Sequence, residues 1–134
     1  MKNEVLYHYT LSDRLAKILL SQTILMSPRD SSELKEKEIP VVWLTVNPTW
    51  DKTAFLGYPL EKLDEIGRVR LTIENIPYTK ATSLKKKLPL LSELIKSANL
   101  VNVNHNDWRI SRKDIPIDKV TKIEKLIDNK WVKI

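Results

Sequence analysis

Residues 5–10 read VLYHYT and place His8, one of only two histidines in the chain, between two tyrosines in an alternating stretch. An imidazole both donates and accepts hydrogen bonds near neutral pH, which suits a ligand hydroxyl. Aromatic and basic residues interleave in DWRISRK and NKWVKI, the pattern with which proteins stack single-stranded bases. Trp108 and Trp131 are read more simply as core residues. Other chemistries find less support. The only glycines, Gly57 and Gly67, do not lie between a strand and a helix start, so no phosphate-cradling loop is present. No serine sits in a nucleophile elbow. Without cysteine, and with histidines only at positions 8 and 105, a thiolate zinc site, a disulfide framework or a histidine metal cluster is not expected.

The elements that must position these residues follow from periodicity. Alternation makes 5–10 a strand, with Val5, Tyr7 and Tyr9 on one face and Leu6, His8 and Thr10 on the other. Ser12 as N-cap, Asp13 in the first turn and Leu15, Ile18 and Leu19 at helical spacing predict a helix over 13–21. A short strand, ILMS, follows. The polar stretch between Pro28 and Pro40 predicts a mobile loop over 29–38. VVWLTVN is the strongest strand pattern; it is closed by Pro48 and leads into a short helix expected from Trp50 to Phe55. RVRLTIE predicts a strand and LPLLSELIKSA a helix over 88–98, with Pro89 in its first turn. DWRIS reads as a strand, IPIDKV as a turn or single helical turn, and KIEKLID with KWVKI as a hairpin around Asp128 and Asn129. Strands scattered among few helices, without regular βαβ alternation, predict an α+β fold with a split, mostly antiparallel sheet.

A chain of 134 residues suits one domain over 1–134. No apolar run reaches the roughly 18 residues of a membrane span, so a cytoplasmic protein with no membrane partner is expected. Twenty-three Lys and Arg against 17 Asp and Glu give a charge of +6, which favours anionic partners without naming one.

The ordered pair VLYHYT, followed by a helix, and VVWLTVNPTWDKTA resembles the ADP-ribosyltransferase-like family, in its diphtheria-toxin and poly-ADP-ribosyl branch. The likeness covers residues 5–55, with a weaker continuation at DWRIS. In that family an aromatic, a histidine, usually a glycine, and a serine or threonine end the first strand, and an aromatic-x-Thr strand runs into an aromatic-bearing short helix. The resemblance implies a single NAD-binding domain that uses NAD as a substrate and transfers ADP-ribose to a macromolecular acceptor, protein or nucleic acid. It implies that His8 hydrogen-bonds a ribose hydroxyl while the backbone at Tyr9 meets the nicotinamide amide. Thr10 and Thr45 occupy the family's hydroxyl positions, and Trp43 and Trp50 those of the rings that sandwich nicotinamide. A pyridinium over a tryptophan face is worth up to roughly 2 kcal/mol when desolvated. Arg29 falls where the family often holds the pyrophosphate, and a guanidinium fits phosphate oxygens in a bidentate manner. Arg14, on the first helix, is a second cation of the same kind.

The resemblance also implies a catalytic carboxylate at the start of the DWRIS strand. The family has glutamate there and this chain has Asp107, one methylene shorter, a difference in reach that matters on the scale of catalytic geometry. Glycine is likewise replaced by Tyr9. Alternation puts Asp107, Arg109 and Ser111 on one face, with Arg109 expected to keep Asp107 ionised; Glu124 is the poorer alternative carboxylate. Two further readings stay open: an inactive relative that holds a nucleotide or nucleic acid, and a small basic inhibitor or partner-binding protein.

Overall fold

The computed structural model describes residues 4–26, 40–55, 58–83 and 91–134. The expected loop over 29–38, and Arg29 with it, lie outside these residues.

The architecture is α+β. Strand β1 (Leu6–Leu11) runs without a break into helix α1 (Ser12–Ser21). Strand β2 (Thr23–Ile24), β3 (Val42–Thr45), helix α2 (Leu60–Ile66), β4 (Arg68–Ile73) and β5 (Thr79–Lys80) follow, then helix α3 (Leu91–Leu100) and β6 (Trp108–Ser111). The chain ends with β7 (Ile115–Pro116), β8 (Val120–Ile127) and β9 (Lys130–Lys133). Seven strands form one sheet in the order β5-β6-β3-β1-β4-β8-β9, while β2 and β7 pair apart from it. Every pairing within these sheets is antiparallel.

Residues directly opposite across a ladder share a face. His8 opposite Leu71, and Thr10 opposite Val69, therefore belong to the face on which α1 packs, where Leu6, Leu15, Ile18, Leu44, Val69, Leu71 and Ile73 form one core. Tyr9 opposite Arg70 and Trp43 opposite Ile110 belong to the other face. There α3 lays Leu91 and Ala98 against Trp108 and Ile110, with Trp43, Leu94 and Ile95 alongside.

Several boundaries depart from expectation for local reasons. Ser12 is the first helical residue rather than the cap; extended Leu11 takes that position with no side-chain cap. The strand enters the helix directly, and the Ser12 backbone N–H donates to the Gly67 carbonyl at 2.9 Å, satisfying one of the donors a helix start leaves open. The short helix expected over 50–55 is a turn. The Asp51 carboxylate accepts from the Thr53 N–H at 2.8 Å, an alternative to helical bonding that short polar side chains offer, and Phe55 adopts a left-handed φ of 57°. Helix α2 was not expected: it has seven residues and only Leu63 buried, too little periodicity to register. It begins after Pro59 and stops at Gly67, whose φ is 108°. The terminal hairpin turns at Asp128 and Asn129, both with positive φ. Among the described residues no helix is long and apolar enough to cross a membrane.

Candidate functional site

The central sheet is nearly divided between two of its neighbours. Strand β3 keeps four register partners in β6 and β1 keeps six in β4. Between β1 and β3 there is one, Tyr7 with Thr45. Past that pair the strands part, and the gap continues as an open cleft of about 260 Å³ lined by His8, Tyr9, Trp43, Asp51, Phe55 and Trp108, among others.

His8 sits at the split. Its Nδ1 lies 2.9 Å from the Trp43 carbonyl oxygen. A carbonyl only accepts, so Nδ1 carries the proton and Nε2 of the neutral ring is an acceptor. Burial is the main influence on the ring and pushes its pKa below the ordinary histidine value; the Trp43 carbonyl pulls weakly the other way. At neutral pH the cleft wall therefore presents a fixed, uncharged imidazole.

The aromatic wall is held by polar anchors. Trp43 and Trp108 meet edge to face at 6.0 Å, a favoured geometry for ring pairs. The Trp108 indole N–H donates to Asp51 Oδ2 at 2.9 Å. Asp51 Oδ1 accepts from both the backbone N–H and the hydroxyl of Thr53. Tyr9 donates its hydroxyl to the Asn47 carbonyl at 2.6 Å, and burial raises its pKa far enough to keep it a neutral donor. Arg70 donates to Glu124 at 2.8 Å and to the Pro48 carbonyl. Its guanidinium carbon stands 4.7 Å from the Trp131 ring and 5.3 Å from Tyr7. Glu124 is thereby a structural counter-ion that helps fasten the 47–50 turn over the sheet.

The residues singled out in the sequence are distributed unevenly around this cleft. His8, Tyr9, Trp43 and Thr45 line it. The Thr45 hydroxyl accepts from Asn47 N–H at 3.1 Å and lies 3.4 Å from the Asp107 carbonyl, to which it donates. Thr10 is buried on the α1 side and is not among the lining residues. Trp50 stands behind the wall, edge-on to Tyr9 at 5.4 Å and stacked on Phe55 at 6.3 Å; its buried indole N–H has no hydrogen-bond partner among the described residues. Arg14 is exposed on α1 with its guanidinium carbon 4.5 Å over Phe55, which places a cation beside one of the lining rings.

Asp107 closes the single 3-10 turn His105–Asp107 that precedes β6. Its carbonyl accepts from Val46 N–H at 3.1 Å, but the residue is half-buried and is not among those that line the cleft. The expected support from Arg109 is absent. Arg109 is buried and grips Glu4 with two bonds, Nε to Oε1 at 2.8 Å and Nη2 to Oε2 at 3.0 Å, and this contact holds Glu4 below the usual carboxylate range. Its Nη1 donates to the Asn106 carbonyl at 2.7 Å. The guanidinium is thus engaged by Glu4, just ahead of β1, and by the backbone of the turn.

Asp51 and Phe55 were missed in the sequence. The one legible signal was Asp-x-Thr directly after Trp50, a spacing that favours a side-chain-closed turn over the helix assumed there. No family model, curated protein or solved structure matches this chain.

Proposed function

We propose that the cleft binds NAD and that the protein transfers ADP-ribose from it to a macromolecular acceptor, a protein or a nucleic acid. The observation that carries this reading is the neutral His8 imidazole at the mouth of a split sheet, with Nδ1 held by the Trp43 carbonyl and Nε2 left to accept from a ribose hydroxyl. Around it the rings of Tyr7, Trp43, Phe55 and Trp108 offer faces and edges to a flat cationic ring, where desolvated cation–π contact is worth up to about 2 kcal/mol. Arg14 beside Phe55 is placed to meet phosphate oxygens.

In the reaction the bond from ribose C1′ to the pyridinium nitrogen breaks and its electron pair goes to nitrogen, giving neutral nicotinamide. The acceptor nucleophile bonds to C1′ and loses its proton to solvent. The protein's share is to hold the ribose, exclude water from the aromatic cleft and stabilise positive charge as it develops on the sugar. A second reading, an NAD- or nucleotide-binding module without transfer, is favoured by one observation: Asp107, the position matching the family's carboxylate, is not part of the cleft lining.

NAD titration followed by tryptophan fluorescence, with chromatographic detection of nicotinamide, tests both readings. Saturable binding is expected, with affinity about tenfold weaker in His8→Ala, the loss of roughly one good hydrogen bond. Absence of NAD binding, or unchanged affinity in His8→Ala, overturns the assignment of this cleft. Binding without nicotinamide release in the presence of protein and nucleic-acid acceptors leaves the second reading.

A further inference from the structure

Asp51 is 6 % exposed and is the one acidic residue among those lining the cleft. Taking a carboxylate out of water is costly unless it is paired with a cation or fully hydrogen-bonded. Glu124, the other buried carboxylate among the described residues, has such a partner in Arg70, and even the partly exposed Glu4 is paired with Arg109. Asp51 has none among the described residues. Its contacts are three neutral donors: the Thr53 N–H and hydroxyl on Oδ1, and the Trp108 indole on Oδ2. A carboxylate has about four acceptor positions, so three are filled and one, on Oδ2, is open.

As an anchor alone, this group is an expensive choice. An Asn would avoid a buried charge lacking a counter-ion, but its single oxygen could accept from Thr53 or from Trp108 and not from both, because those donors lie on Oδ1 and Oδ2. The carboxylate gains a further reason if the positive charge arrives with the ligand. The proposed substrate brings one, first on the pyridinium and then, as the glycosidic bond breaks, on the ribose ring. A negative group fixed beforehand by three donors needs no rearrangement to meet that charge, which is the arrangement that lowers a barrier most. Asp51 comes from the 46–55 turn and His8 from β1, and both line the cleft, so the two side chains bring an acceptor and a negative charge to it from separate segments of chain.

We infer that Asp51, rather than Asp107, is the catalytic carboxylate of this site: its open Oδ2 position accepts from a hydroxyl of the nicotinamide ribose and its charge stabilises the cationic sugar in the transition state. The inference rests on the proposed NAD reading. No bond to Asp51 is made or broken; the leaving electron pair goes to nicotinamide nitrogen and C1′ is captured by the acceptor nucleophile, which loses its proton to solvent.

The test compares nicotinamide release and NAD affinity in wild type, Asp51→Asn and Asp107→Asn, with thermal unfolding of each. Asp51→Asn is expected to lose about 100-fold or more in turnover at saturating NAD, with affinity weakened by no more than about tenfold for the lost ribose hydrogen bond, because the larger part of the lost interaction belongs to the transition state. Asp107→Asn is expected to stay within about threefold of wild type in both. The opposite pattern, turnover lost in Asp107→Asn and kept in Asp51→Asn, overturns the inference and leaves the NAD reading standing; a wild-type chain that does not bind NAD removes the reading itself. If Asp51→Asn does not fold, carboxyl carbon resonances in the labelled wild-type chain decide. Addition of NAD is expected to shift the Asp51 signal and leave Asp107 in place, and an unmoved Asp51 signal in a chain that does bind NAD overturns the inference.

Discussion

Strand β1 has two edges that could hardly be less alike. Toward β4 all six residues, Leu6 to Leu11, have a register partner, and the partners that face α1, Val69, Leu71 and Ile73, are fully buried. Toward β3 a single pair is kept, and beyond it the strand contributes His8 and Tyr9 to a cleft. Backbone groups released by such a split must find other partners; the Trp43 carbonyl finds the His8 imidazole. One strand thus holds the fold together along one side and opens it on the other. The side chain that faces the core ladder at Leu71 is also the one that reaches into the split.

The sharpest way to test that division is to weaken each edge in turn. Leu71→Ala, in the closed ladder, removes a completely buried side chain and is expected to cost about 3 kcal/mol, read as a lower midpoint in urea with an unchanged slope. His8→Ala, at the open edge, deprives the Trp43 carbonyl of its partner and is expected to cost only about 1 kcal/mol. Equal losses would show that the split edge carries as much of the fold's cohesion as the ladder.

A smaller effect is expected where the closed side is tied to the start of α1. Gly67 links α2 to β4 with a φ of 108°, and a Cβ there would run into Ser12 Oγ and the Lys125 side chain. Its carbonyl also takes the Ser12 N–H. Gly67→Ala combines left-handed strain with two clashes, and a loss of about 2 kcal/mol is expected from the backbone alone. Thermal unfolding measures it. NAD affinity should hardly change, since Gly67 is not among the residues lining the cleft; a variant equally stable but impaired in binding would contradict the separation of the two edges.

The sequence carried the closed edge better than the open one. Strict alternation in VLYHYT and RVRLTIE was enough to phase both strands, and the phase of His8 with Leu6 and Thr10 matches the register opposite Leu71. The Asp128–Asn129 turn was equally legible because two adjacent left-handed residues favour those side chains. Around the cleft, local pattern ran out. DKTA reads as helix until the Asp51 carboxylate is seen to close the turn on Thr53, and its bond to Trp108 spans 57 positions, which no periodicity conveys. Arg109 failed for a related reason: proximity in sequence suggested Asp107 as its partner, whereas folding brings it to Glu4, 105 residues away. Fold class depended on short-range pattern and was readable; the lining of the cleft depends on long-range pairings and was only partly so.

The smallest effect expected is a pH dependence, and it follows from where His8 stands. Burial lowers its pKa in the folded chain from the ordinary value of 6.5. As pH falls through about 6.5 the unfolded chain takes up a proton that folded His8 refuses, so the unfolded state binds more protons and stability declines with acidification. The decline starts near 6.5 and ends below the lowered folded value, where both states are protonated. With one proton involved, the slope contributed by His8 cannot exceed roughly 1.4 kcal/mol per pH unit. Glu4 acts in a separate window. Its pKa is lowered from 4.5 by the Arg109 hydrogen bond, so its contribution is present above about 4.5 and is lost only as pH falls through the folded value. Urea unfolding from about pH 3 to 8 should therefore show a His8 component on the acidic side of 6.5, and His8→Gln, which has no proton to gain, should flatten that component while leaving any loss below 4.5 intact. A wild-type profile that is flat between pH 5 and 7, or one whose slope survives in His8→Gln, would mean that the imidazole is charged or solvated at the split. The neutral acceptor on which the open edge depends would then be gone.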